Sequence, residues 1–264
     1  MTHTVSLTLK ARTVMTVLAF MLLALLPGRT HGAETTFADE TLHYVISYKW
    51  GLVHKEAGDA TLSLRKTGDR YRLTLTARTR PWADKFFAVR DTLVSTVSRV
   101  GFKPVQYSKI AHEGGRYSRD DLDFSILSSN VKCGVKRVKI DKKGKRTESS
   151  KSLSATGRSF DMLSVFYYLR TLDFASLSGG RPVTVNIFSG SKVEKLTIRC
   201  VGKDMVKQRD GAKQEAWHLK FRFTQEGGKK SSDDIDAWIT ADSRHIPLQL
   251  VGSLPVGQVR CTLK

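Results

Sequence analysis

The chain has 264 residues, 40% hydrophobic and 26% charged, with 44 Lys and Arg against 25 Asp and Glu for a formal net charge of +19. That apolar content supports a real core and excludes a disordered tail, a collagen-like repeat and a multi-span membrane protein. The charge points to polyanionic partners and names no activity.

Residues 1–33 read as a cleavable export signal. Lys10 and Arg12 form a positive start, Val14 to Leu26 is apolar, and Pro27-Gly28 break the run before the small residues Gly32 and Ala33. The run falls short of the ~20 residues a membrane-spanning helix needs. No cysteine follows it, so lipid attachment is not expected. Losing Lys10, Arg12 and Arg29 lowers the charge by three, to about +16. Residues 34–264 read as one β-rich domain, and the export signal predicts a periplasmic location.

In that domain the dominant period is two. Leu42, Tyr44, Ile46, Tyr48 and Trp50 alternate with polar residues, as do Ala60, Leu62 and Leu64, and Tyr71, Leu73, Leu75 and Ala77 after the turn at Thr67-Gly68-Asp69. Further strands are expected over 89–97, 105–112, 117–126, 131–140, 183–188, 195–201, 217–224, 235–240, 247–251 and 258–263. Their short connections rich in Gly, Asp, Lys or Ser predict antiparallel hairpins, and the lack of alternating helices excludes a doubly wound parallel sheet. One segment breaks the period. Phe160 to Leu172 places Met162, Val165, Phe166, Leu169 and Leu172 on one helical face, with Leu163, Tyr167 and Tyr168 apolar elsewhere and Ser159 or Asp161 as N-cap. A helix apolar nearly all round is normally buried. The predicted fold class is therefore mainly β, a curved antiparallel sheet or open barrel wrapped around one central apolar helix. Pro247 is expected to open a strand.

Three stretches carry a resemblance: the opening LHYVISYKWGLVHKEAGDATLSL, the central FDMLSVFYYLRTLDF and the closing DAWITADSRHIPLQLVGSLPVGQV, with Trp238, Asp242 and Pro247 spaced in the last. Over roughly Asp39 to Lys264 the sequence resembles the bacterial family of exported proteins catalogued as domain of unknown function 3108. The resemblance implies a mostly β fold curled around a helix in the periplasm of a diderm bacterium, with no accepted enzymatic activity and no agreed site. The lysine-rich stretch after Cys133 departs from it.

Lys136, Arg137, Lys139, Lys142, Lys143, Lys145 and Arg146 crowd a hairpin turning at Asp141-Lys142-Lys143-Gly144. Either this is a solvated, solubilising hairpin, or it contacts an anionic lipid, lipopolysaccharide or acidic polysaccharide, nucleic acid being absent from that compartment. Contact with a membrane would be peripheral. The aromatic side chains Tyr44, Tyr48, Trp50, Trp217, Phe221 and Phe223, if turned inward, either fill the core or line an acyl-chain cavity. Ligand-binding candidates on the second reading are Tyr48, Trp50, Phe166, Tyr167, Arg170, Trp217 and Trp238. Arg170, on an apolar helix, needs a counter-ion if buried, Asp173 or Asp91 being candidates. Cys200 and Cys261 either pair as a disulfide, leaving Cys133 odd, or all three are small buried hydrophobes. No hydrolase elbow, zinc-helix motif or phosphate loop is present, and the histidines lack metal-ligand spacing, so no catalytic residue, metal or cofactor is expected. The acid clusters Asp120-Asp121-Leu122-Asp123 and Asp233-Asp234-Ile235-Asp236 read as parts of turns. The functional expectation is a non-enzymatic periplasmic binding or envelope-maintenance protein for an anionic amphipath such as a lipid. The alternative is a structural protein docking an outer-membrane or cell-wall assembly.

Overall fold

The computed structural model describes residues 36–225, 234–254 and 257–264; the expected export signal and Asp233 lie outside them. Fifteen strands follow in chain order: β1 (Glu40–Trp50), β2 (Val53–Thr67), β3 (Arg70–Thr79), β4 (Val89–Ser98), β5 (Pro104–Glu113), β6 (Arg116–Leu127), β7 (Asn130–Ile140), β8 (Arg146–Thr156), β9 (Ser159–Asp161), β10 (Val183–Phe188), β11 (Val193–Lys207), β12 (Lys213–Thr224), β13 (Ile235–Thr240), β14 (Pro247–Ser253) and β15 (Gln258–Leu263). Three short helices interrupt them: α1 (Pro81–Phe87), α2 (Ser164–Leu169) and α3 (Phe174–Leu177).

All fifteen strands form one sheet in the order β8-β7-β6-β5-β4-β3-β2-β1-β15-β14-β13-β12-β11-β10-β9. The two halves of the sequence are thus joined by the β1–β15 pair, in which Tyr44 faces Leu263 and Lys49 faces Gln258. Pairing is antiparallel except for β9 on β10, where a three-residue strand runs parallel to its neighbour. The sheet curls into a nearly closed barrel. Its seam is bridged from β10 and the turn after it: Asn186 Nδ2 donates to Thr156 O at 2.9 Å, the Lys151 ammonium donates to Ser191 O, and Phe124 meets Phe188 edge-on at 5.4 Å.

Period-two alternation decides which face is buried. Leu62, Leu64, Tyr71, Leu73, Leu93, Val97, Phe221 and Phe223 all point into one continuous core. The expected thirteen-residue helix is instead strand β9 followed by the six-residue α2, all six of whose residues are buried. Phe160 cannot belong to the helix because its strand pairs with Ile187. Asp161 does serve the helix start: one carboxylate oxygen accepts from the amides of Leu163 and Ser164 at 2.7 and 2.8 Å, and the other accepts from Ser95 Oγ at 2.6 Å. Burial raises its pKa against these hydrogen bonds.

Two elements fall outside the expected strands and helix. β8 reads RTESSKSLSAT and is exposed along most of its length, as a polar edge strand can be. α1 is a single short helix opened by Pro81, whose fixed φ suits a first helical position.

Candidate functional site

Strand polarity sorts the connections to two ends. At one, which starts from Glu40, the three stretches carrying the family resemblance meet. The Arg170 guanidinium, buried just after α2, forms a bidentate ion pair with Glu40 and donates from Nε and Nη2 to Arg244 O at 3.3 and 3.2 Å. It also lies over the rings of Phe37 and Tyr167 at 4.7 and 5.3 Å. His245 Nδ1 contacts Arg170 O at 2.9 Å, and Tyr44 donates its hydroxyl to Pro247 O at 3.1 Å. The partner of Arg170 is therefore neither Asp173, which caps α3 through the amides of Ala175 and Ser176, nor Asp91, which sits on β4 and accepts from His112 N. Pro247 does open β14. This end is a filled plug.

The interior does not gather the predicted ligand set. Phe166 and Tyr167 are packed in the core of the plugged end. Trp217 lies beside Phe174 at 6.3 Å and under Lys203 at 5.3 Å. Trp238 belongs to the other face of β13, stacked on His218 at 4.7 Å with Nε1 donating to Asp204. Tyr48 is half-buried against Gly257. Trp50 is not inward at all: it is 60% exposed at the β1–β2 turn. Nearer that turn, the interior becomes polar. Asp120 holds Arg137 in a bidentate pair, Lys192 lies 2.9 Å from the fully buried carboxylate of Glu194, and Lys109 lies 3.8 Å from Glu113. Desolvation, opposed by Lys109 and aided by Glu113, pushes the buried Asp91 carboxyl up to about 7. An acyl chain entering here would meet buried charge before it met apolar walls.

The first acid cluster lies on β6 and not in a turn; of the second, Asp236 is on β13 and Asp234 immediately precedes that strand. Asp121 accepts from Ser108 and Arg119, Asp234 pairs with Arg222, and Asp236 accepts from Lys220 and contacts His218 Nε2 at 2.7 Å. A basic side chain accounts for each, from the neighbouring strand β12 for Asp234 and Asp236 and from the same strand for Asp121. The cysteines are all thiols. Cys200 and Cys261 sit on β11 and β15 with three strands between them, about 19 Å along the sheet at ~4.8 Å per strand, too far for a bridge.

The opposite end, around Trp50, presents a different surface. The β1–β2 turn exposes Trp50, Leu52 and Val53, and α1 exposes Phe86. These elements touch: Lys55 Nζ lies 4.4 Å over the Trp82 ring, and Trp82 Nε1 donates to Glu56 O at 2.8 Å. Phe87 then packs on Gly114 in the β5–β6 turn, and Gly115 lies beside the stem of Lys142 in the β7–β8 turn. One rim thus carries exposed aromatic and aliphatic side chains followed by Lys142, Lys143, Lys145 and Arg146. Of the predicted basic set, Lys136, Lys139 and these four are exposed, while Arg137 is withdrawn to Asp120. Arg146 is partly neutralised by Glu148 at 2.7 Å. Composition marks the basic turn but not its apolar neighbours, because alternation assigns Trp50 an inward position and the seven-residue α1 is too short to show a helical period.

The family model described as a protein of unknown function, DUF3108, matches residues 43–264. The chain belongs to the DUF3108 family. Among solved structures, it is similar to the crystal structure of a β-barrel-like protein of domain of unknown function DUF1849 from Brucella abortus. TM-score is 0.59 at 10% identity, covering 87% of this chain and 97% of that one. At that identity the likeness carries the barrel fold from one family to the other and nothing of function. No curated protein matches the sequence. Among the described residues, no helix is long and apolar enough to cross a membrane, and no three metal-ligating side chains cluster.

Proposed function

We propose that this DUF3108 protein is an exported, non-enzymatic protein of the cell envelope that docks on an anionic lipid surface through the Trp50 end of its barrel. The observation that carries the reading is the shared rim, where exposed apolar side chains stand beside an exposed basic turn. Apolar side chains at a bilayer interface gain from leaving water, and Lys142, Lys143 and Lys145 add about 1 kcal/mol each near anionic headgroups. With about 1.5–3 kcal/mol for each of Trp50 and Leu52 if fully inserted, the total is about 6–9 kcal/mol, enough for micromolar-class attachment. The ion-paired interior behind the rim favours contact with the surface over storage of a lipid chain inside the barrel.

Cosedimentation with vesicles tests this. The protein is expected to pellet with phosphatidylglycerol vesicles and not with phosphatidylcholine vesicles. Pelleting should weaken at raised salt and be lost in a Trp50→Ser, Leu52→Ser double variant and in a Lys142→Ala, Lys143→Ala, Lys145→Ala triple variant. Equal pelleting of wild type and both variants would overturn it. The second reading, docking of a protein assembly, is favoured only by the exposed residues 146–150 of the edge strand β8; site-specific crosslinking from Ser150 in intact cells would then give a discrete protein adduct.

A further inference from the structure

A groove of about 760 Å³ opens on the outer face of the barrel, bordered on the rim side by Arg80 at the start of α1. Register lays out its floor. Across β1, β2, β3 and β4, His43, Thr61, Thr76 and Thr92 are direct neighbours in one row. Two residues along the same strands, Asp59, Arg78, Arg90 and His112 form a second row on β2 to β5. Rows two residues apart in a strand are about 7 Å apart, and neighbours within a row about 4.8 Å. The first row offers hydroxyls and an imidazole, the second guanidinium groups.

One charge in this groove, that of Arg78, is not paired off by a neighbour among the described residues. Asp59 is already committed, accepting from Arg80 at 2.9 and 3.1 Å and pairing with Lys264 at 2.9 Å, which keeps its carboxyl well below the ordinary range. Arg90 is steadied by Asp84 at 2.6 Å. Arg78 is exposed between them, with neither an ion-pair nor a hydrogen-bond partner for its side chain among the described residues. Because neighbouring carboxylates fix Arg80 and Arg90, the site is preorganised, and Arg78 keeps its donors for a ligand.

We infer that this groove binds an anionic sugar, its phosphate held by the Arg78 row and its hydroxyls by the threonine and histidine row. The volume lies within the usual small-molecule range of about 300–1,000 Å³, but the lining is polar where most such sites are apolar, which selects a hydrophilic ligand over an acyl chain. The guanidinium fork matches phosphate, and the row spacing matches a pyranose ring bearing an exocyclic phosphate. The same chemistry is presented by a free sugar phosphate and by the headgroup of a phosphorylated glycolipid.

Amide NMR titration of the full chain separates the outcomes. Glucose 6-phosphate is expected to shift amides of residues 59–61, 76–78 and 90–92 with a Kd of about 1 mM or tighter, and glucose or inorganic phosphate alone to bind at least about tenfold more weakly. Arg78→Ala should weaken binding about tenfold or more at nearly unchanged melting temperature, since the exposed Arg78 has no ion pair or side-chain hydrogen bond to lose among the described residues, and Arg78→Lys should restore part of it. Vesicles of phosphatidylcholine with lipid A identify the source. Arg78-dependent binding to them with no binding of the soluble sugar assigns a glycolipid headgroup, and binding of the soluble sugar assigns a free ligand. The Trp50→Ser, Leu52→Ser variant should bind the sugar as wild type does, so the groove can fail while the rim stands, or the reverse. Absence of binding to both probes, or binding indifferent to Arg78→Ala, or equal affinity for inorganic phosphate, would overturn the inference.

Discussion

Breaking the Arg170–Glu40 pair should destabilise the barrel unequally from its two sides. Arg170 has a side chain only 2% exposed, whereas that of Glu40 is 21% exposed. Glu40→Ala strands a guanidinium that water cannot reach, leaving it the backbone oxygen of Arg244 and the faces of Phe37 and Tyr167. Arg170→Met leaves a carboxylate with some access to solvent and an aliphatic side chain that still packs. Removing one partner of a buried pair costs about 3–5 kcal/mol, so Glu40→Ala should sit near the top of that range and Arg170→Met at or below its foot. For a domain of this size each kcal/mol moves the melting temperature by about 2–4 °C, giving losses of about 6–20 °C. The double variant Glu40→Ala, Arg170→Met removes both charges and should recover much of the loss, since burying neither ion avoids their desolvation. Urea unfolding of the four proteins at constant slope measures the cycle. Single losses below about 1 kcal/mol that simply add in the double variant would refute the buried-pair account.

Other expectations follow from the interior and the seam. Burial holds the Asp91 carboxyl at about 7 in the folded protein against 3.8 unfolded, so the native state binds the extra proton between those values. Stability from this group is therefore greatest at low pH and falls as pH rises through about 7; Asp91→Asn should flatten that fall in melting temperature measured from pH 5 to 8. Gly190 has φ +84° and lies where a Cβ would come within 2.7 Å of the Asp120 carboxylate, so Gly190→Ala should lower stability by about 1–3 kcal/mol in urea unfolding. Burial pushes the Cys133 thiol up to about 12. Thiol titration with an aromatic disulfide reagent should find it unreactive in the folded protein and three thiols after unfolding, with no change on prior reduction.

The strands were legible wherever one face was apolar, because burial on a pleated sheet writes itself as alternation; β1, β3 and β4 fell within a residue or two of expectation. β8 was not, since an edge exposed on both faces has nothing to alternate. The segment after Ser159 misled for the opposite reason: with apolar residues at nearly every position, strand β9 and helix α2 share one unbroken signal, and only pairing with Ile187 separates them. The basic turn around Lys142 was readable from composition, but Arg137 looked like its equal until Asp120 on the neighbouring strand claimed it. Arg170 announced its need for a counter-ion without naming Glu40, 130 residues away in sequence. The outer groove left no local trace, as its rows run across strands and exist only once register is set.

Hydrogen exchange with and without phosphatidylglycerol vesicles tests the docking surface most directly. The rim account predicts slowed exchange at residues 49–55, 81–87 and 141–146, with α2 and the turn at residues 241–246 unchanged. Protection confined to the plugged end, or no difference anywhere while the protein is bound to vesicles, would contradict it.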